Sequence, residues 1–162
     1  MTSILKVSEI QDPTNSNTAL TIDSSGNIAT GGRIDAGTSV YAQGSHSTTE
    51  TGTITFNTNQ VTSGGCSFED SNTAMQVPVD GLYMVHYDAL GNAGNGAFII
   101  HARKNGTGIP GSNTQNVANA NETLSKDVLI TLQANDKITF EVITGASHAN
   151  ANYNNFFVFK VG

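Results

Sequence analysis

From residue 50 onward the chain repeats one pattern. A short run of alternating apolar and polar residues gives way to a cluster of Gly, Asn, Asp, Ser or Pro, and then another run begins. Alternation with a period of two puts every second side chain on one face of a strand, and the punctuating residues are those that accept turn geometry. The candidate strands span 52–56, 66–68, 74–79, 82–88, 97–104, 125–132, 137–143 and 156–161. Met75, Val77 and Val79 are expected to share one face, as are Val128, Ile130 and Leu132. The same holds for Ile138, Phe140 and Val142, and for Phe157, Phe159 and Val161. No window carries apolar residues at helical spacing without Gly or Asn interrupting it. Many short strands and no helix predict an all-β domain, a sandwich or a jelly roll.

Composition agrees. Only 12% of the 162 residues are charged, and the balance goes to Asn, Thr, Ser and 17 Gly, which suit turns and solvated strand faces. A net charge of −6 with seven scattered Lys and Arg offers no basic patch to neutralise phosphates, so neither nucleic acid nor an anionic membrane is expected as partner. No stretch approaches the roughly 18 apolar residues of a membrane span, so no membrane insertion is expected. The opening residues lack a basic start followed by an apolar run, so a chain made in the cytoplasm is expected. The single Cys66 excludes an internal disulfide and a multi-cysteine zinc site.

Three regions differ in texture. Residues 1–18 hold a short apolar segment, with Ile4, Leu5, Val7 and Ile10, that breaks at Asp12-Pro13. So few residues cannot bury a core, which predicts an extended arm that orders against a partner or its own copies. Residues 19–49 begin with Leu20-Thr-Ile22, then Asp23-Ser-Ser-Gly-Asn27, then Ile28, the composition of a small hairpin. Gly31-Gly32, Gly37 and Gly44 follow, and read as a neck. Residues 50–162 are the predicted head domain.

Candidate chemistry is sparse. A metal site needs two or three converging ligands; His86 and His101 lie on strand candidates and would have to meet across a sheet, while His46 and His148 stand apart. Residues 106–111 match G-x-G-x-x-G, but a phosphate cradle requires a helix to start there, and Pro110 with the Ser-Asn-Thr-Gln after it forms none. Ser45-His46 sit in the predicted neck, without the rigid surroundings a catalytic triad needs. Glu69-Asp70 read as a turn, and no Trp is present to hold a sugar in a cleft. The chain is expected to have no catalytic residues and no cofactor. Asn- and Asp-rich stretches at 88–95, 113–121 and 150–155 carry oxygen donors suited to calcium or glycans, but no calcium-loop spacing supports a metal.

Two stretches bear a resemblance. In the first, Val77-Pro78 is followed by Asp80-Gly81 and Tyr83: an apolar strand ended by Pro, a turn, and a return strand. In the second, 125–142, two strands flank Asn135-Asp136, with Asn135 where Gly is usual. Between them lies Lys104-Asn105-Gly106, and a Phe-rich strand, 155–159, ends the chain. Across about residues 52–162 these resemble the complement-q globular-head family, related to the tumour-necrosis-factor-like jelly rolls. The resemblance implies a jelly-roll head and a homotrimer. In such a trimer one face of the last strand and of the Tyr83 strand would line the axis, which makes Tyr83, Tyr87, Phe140, Phe157 and Phe159 the interface candidates.

The N-terminal stretches 4–12 and 20–28 resemble the openings of phage virion fibre and decoration proteins. Ile4, Leu5, Val7 and Ile10 are then the anchor candidates, toward a major capsid or tail protein. The resemblances together imply a virion structural protein, made in the host cytoplasm: a capsid decoration or head fibre with an exposed head. The alternative is a tail-fibre or receptor-binding component that touches a host-surface glycan. A secreted adhesion module of the same fold is the third reading.

Overall fold

The computed structural model describes residues 9–11, 18–22, 28–29, 39–92, 94, 96–116 and 121–161, with side chains from residue 39 onward. The chain forms two compact units, residues 1–37 and 38–162.

In the first unit, β1 (Glu9–Gln11), β2 (Thr18–Ile22) and β3 (Ile28–Ala29) make a three-stranded antiparallel sheet in the order β1-β2-β3. β2 and β3 pair as the Leu20–Ile28 pattern predicts, with Ile22 opposite Ile28. Glu9–Gln11, expected as part of an extended arm, pairs instead with β2, placing Ile10 opposite Leu20. Ile4, Leu5 and Val7 lie outside the described residues.

The second unit is a jelly-roll sandwich. One sheet runs β12-β8-β14-β4-β5, formed by β4 (Tyr41–Ser45), β5 (Thr58–Ser63), β8 (Gly81–Leu90), β12 (Thr123–Leu132) and β14 (Asn155–Lys160). The other runs β10-β9-β13-β7-β6, from β6 (Ser67–Glu69), β7 (Ala74–Gln76), β9 (Ile99–Lys104), β10 (Thr107–Gly108) and β13 (Lys137–Thr144), with β11 (Thr114–Gln115) also paired to β9. All pairings are antiparallel. β8 and β12 are matched without a slip from Gly81–Leu132 to Leu90–Thr123.

The core follows from alternation. Tyr83, Val85, Tyr87 and Ala89 of β8, Phe156 and Val158 of β14, and Ile138, Phe140 and Val142 of β13 all point between the sheets and are buried. The rings of Phe56, Phe140 and Phe156 pack edge-on or tilted, with Phe140 and Phe156 centroids 5.0 Å apart, the geometry aromatic quadrupoles favour.

Several elements depart from the sequence reading. Tyr41–Ser45, read as neck, is an internal strand between β14 and β5, and Ala42 is fully buried. Its Gly44 is a packing residue: a Cβ there would stand 3.1 Å from the Phe56 and Phe68 side chains. The compact unit therefore begins at residue 38 rather than 50. The 52–56 segment forms an isolated bridge, Thr53 to Glu141, rather than a strand, yet Ile54 and Phe56 are fully buried. Val79 leaves the face it was expected to share with Met75 and Val77: Pro78 ends the pairing as predicted, and Val79 turns out to solvent.

Candidate assembly and binding face

The outward face of the five-stranded sheet is apolar where solvent would favour polar groups. Register places Leu129, Met84, Phe159 and Tyr41 side by side on adjacent strands. The next row holds Asp127, His86, Phe157, Gln43 and Val61. Leu129 is 63% exposed, Val61 47% and Leu82 40%, while Phe157 and Phe159 are half-buried by their neighbours. Tyr41, Gln43, Met84, Phe157 and Phe159 line a shallow groove of about 370 Å³ on this face. Contiguous apolar surface of this kind marks a contact site.

The opposite sheet presents a different outward face. Glu141 of β13 sits between His101 and Arg103 of β9, accepting from His101 Nε2 and from Arg103 Nη1 at 2.8 Å each. The His101 hydrogen bond and the Arg103 charge outweigh burial and hold the Glu141 carboxyl below its usual range. Lys137 pairs with Asp70 at 2.7 Å. The outer face of one sheet is thus occupied by ion pairs, while that of the other gathers apolar and aromatic side chains around His86, Asp88 and Asp127.

The five interface candidates divide between the two sides of their strands. Phe157 and Phe159 stand on the outward face. Tyr83, Tyr87 and Phe140 are at most 1% exposed in a single chain and face the core, so they are corrected from axis-lining to core residues. The reason is parity: on β8 the outward positions are Leu82, Met84, His86 and Asp88. Tyr83 Oη donates to the Val79 carbonyl at 2.8 Å, which closes the Pro78 turn. Tyr87 Oη lies within 2.6 Å of the Ser112 carbonyl and of Thr114 Oγ1. Burial, with smaller contributions from Cys66 and Asp80, pushes the Tyr83 phenol up to about 12.

The other candidates are occupied structurally. His86 and His101 lie in different sheets and do not meet. Ser45 and His46, read as linker, are both buried, and Nδ1 of the His46 ring is held by the Thr48 carbonyl at 2.7 Å. Residues 106–111 form the β9–β10 turn and the strand after it, with Gly106 and Gly111 at positive φ and no helix. Glu69 accepts from Ser67 Oγ at 2.7 Å. Among the described residues no group of three or more His, Cys, Asp or Glu converges to hold a metal.

The polar loops gather at one end of the sandwich. Gly91 bridges Ser147, and buried Asn154 accepts from the Leu90 N–H while donating to the His148 and Asn150 carbonyls. Asn116 accepts from the Phe98 N–H at 2.8 Å. These asparagines satisfy loop backbone, a role that sequence reading left among the ligand candidates. Tyr153 stands 51% exposed beside His148.

The family model described as C1q domain matches residues 38–160. No curated protein matches the chain. C1q domains are non-enzymatic binding modules that typically form trimers.

Proposed function

The chain belongs to the C1q domain family, and from that premise we propose that it works as a homotrimeric binding head, assembled through the outward aromatic face of its five-stranded sheet. The observation that carries this reading is the asymmetry of the sandwich. Both outer faces carry ion pairs, but the five-stranded sheet also gathers exposed Leu82, Leu129 and Val61 around Phe157 and Phe159. Trimerisation supports binding because three weak contacts add through avidity.

In the finer reading the protein is a phage virion component, a capsid decoration or head-fibre protein. The N-terminal stretch, resembling openings of virion proteins, attaches to a major capsid or tail protein, and residues 38–162 are displayed. Adhesion to a host-surface glycan is the second reading. It is favoured by the polar loop end, where exposed Tyr153 offers a ring on which a sugar can stack.

The mass of the full-length protein in solution, beside the same protein lacking residues 1–18, tests the assembly. Trimers in both support the head as the assembly unit. Monomers in both overturn it. Co-purification of the full-length protein with phage particles, lost on removal of 1–18, tests the attachment role.

A further inference from the structure

His86 stands within the aromatic face with a carboxylate at each ring nitrogen. Nδ1 lies 2.7 Å from Asp127 Oδ1 and Nε2 3.0 Å from Asp88 Oδ2. The ring is stacked on Phe157, with centroids 4.4 Å apart and planes 20° from parallel, so it cannot turn toward one acid without losing that contact. A neutral imidazole has one N–H and satisfies one of these carboxylates. Only the imidazolium has two and satisfies both.

The neighbours leave this triplet to balance itself. Asp88 is on the same strand as His86, and Asp127 comes from β12. On the other side, β14 contributes Phe157 and Asn155, with Gln43 of β4 beyond Phe157, and none of these carries charge. The triplet therefore carries one net negative charge with His86 protonated and two with it neutral. In a lone chain water covers the difference, because the Asp88 and Asp127 side chains are 39% and 64% exposed. A second copy seated on this face removes that water, and a desolvated carboxylate without a donor is costly.

We propose that self-association through this face takes up a proton at His86, so that the assembly tightens in mild acid and loosens as pH rises. The inference rests on the reading of this face as the contact between copies. The sign follows from linkage. The assembled state holds the proton more firmly than the free chain, so association is complete at the acidic end and is lost as the proton leaves. Imidazoles as a class change charge between about pH 5 and 8. With three triplets in a trimer, the dissociation constant rises by up to about 10³ per pH unit where all three protons are released.

Sedimentation equilibrium at constant ionic strength, from about pH 6 to about pH 8.4, tests this on the full chain, on His86→Gln, and on Asp88→Asn combined with Asp127→Asn. The native trimer is expected to dissociate at least tenfold more readily at the alkaline end, and both variants to lose that dependence. Should His86→Gln fail to fold, the double Asn variant carries the same comparison. A native trimer equally tight across the range, or variants that keep the native pH dependence, overturns the proton linkage and leaves the trimer standing. A monomer at every pH overturns the reading of the face itself, and the linkage with it.

Discussion

The Asn105 amide donates to Asp136 Oδ1 at 2.6 Å, joining two hairpins that lie 31 residues apart in the chain. The link is reciprocal: the Lys137 N–H donates to Asn105 Oδ1 at 2.8 Å, and the Asp136 carboxylate also accepts from the Gln133 N–H and Lys104. Both turns put an Asn at positive φ, Asn105 at 48° and Asn135 at 71°. Asp136→Ala removes the acceptor that three donors share at the rim of the two hairpins, and is expected to lower the unfolding free energy by about 1–3 kcal/mol, read from the urea midpoint.

The same carboxyl gives an acid-stability prediction. Burial would raise the Asp136 carboxyl, but hydrogen bonds from Lys104, Gln133 and Asn105 outweigh it and hold it below the ordinary 3.8. Its contribution is present above that value and is lost as pH falls through the lowered one. Urea titrations at about pH 6 and pH 3 are expected to show a smaller loss in Asp136→Asn than in the native protein.

His46 adds to the acid sensitivity by a different route, because the fold favours its neutral form. Burial lowers its basicity below the usual 6.5, partly offset by the Thr48 carbonyl and the Glu50 charge, and Nε2 has no hydrogen-bond partner. The unfolded chain binds this proton more readily, so stability falls as pH drops below about 6.5, by at most about 1.4 kcal/mol per pH unit. In the Asp88→Asn, Asp127→Asn background, where assembly adds no pH dependence of its own, thermal melts between pH 7.5 and 5.5 are expected to lose part of their slope in His46→Gln. An unchanged slope would assign the loss to other groups.

Cys66 is buried, and burial pushes its thiol up to about 11. At neutral pH almost none of it is the reactive thiolate. A maleimide reagent is expected to label Cys66 only as the head unfolds, with labelling that tracks the denaturant transition. Rapid labelling in buffer would contradict the burial.

The two sides of the sheet predict opposite consequences of mutation. Phe140→Ala opens a cavity in the aromatic core and is expected to cost about 3–5 kcal/mol in unfolding experiments. Phe157→Ser with Phe159→Ser alters the outward face, and is expected to leave a folded monomer by circular dichroism and solution mass. A double variant that stays trimeric would remove these two residues from the interface.

Strand existence was legible in the sequence to the extent that one strand face was buried. The strands at 81–90, 123–132, 137–144 and 155–160 were anticipated because each alternates over six or more residues. β4 and β5 were not. Thr58–Ser63 is a mostly exposed edge with a single aliphatic residue, Val61, so no periodicity announces it. In Tyr41–Ser45 the inward positions are filled by Ala42 and Gly44, and a glycine that yields space to Phe56 and Phe68 looks in sequence like a glycine that loosens a linker. Of the outward face, Phe157 and Phe159 are among the residues singled out in the sequence, and His86 reads there as a strand histidine, whereas nothing in the pattern separates Leu82, Met84 and Leu129 from inward-facing residues.

Where six or more residues alternate, the sequence alone determined that a strand forms and which of its side chains share a face, because a period of two is a property of the extended backbone. It could not decide which face of a strand is inside when both are apolar. On β8 the choice lay between Tyr83, Val85 and Tyr87 on one side and Leu82 and Met84 on the other; on β14 it lay between Phe156 with Val158 and Phe157 with Phe159. Only the tertiary structure decided it. There Phe156 meets Phe56 and Phe140 across the sandwich, and the Tyr87 hydroxyl finds the buried Ile100 and Ser112 carbonyls, partners that exist only once the two sheets have closed on each other.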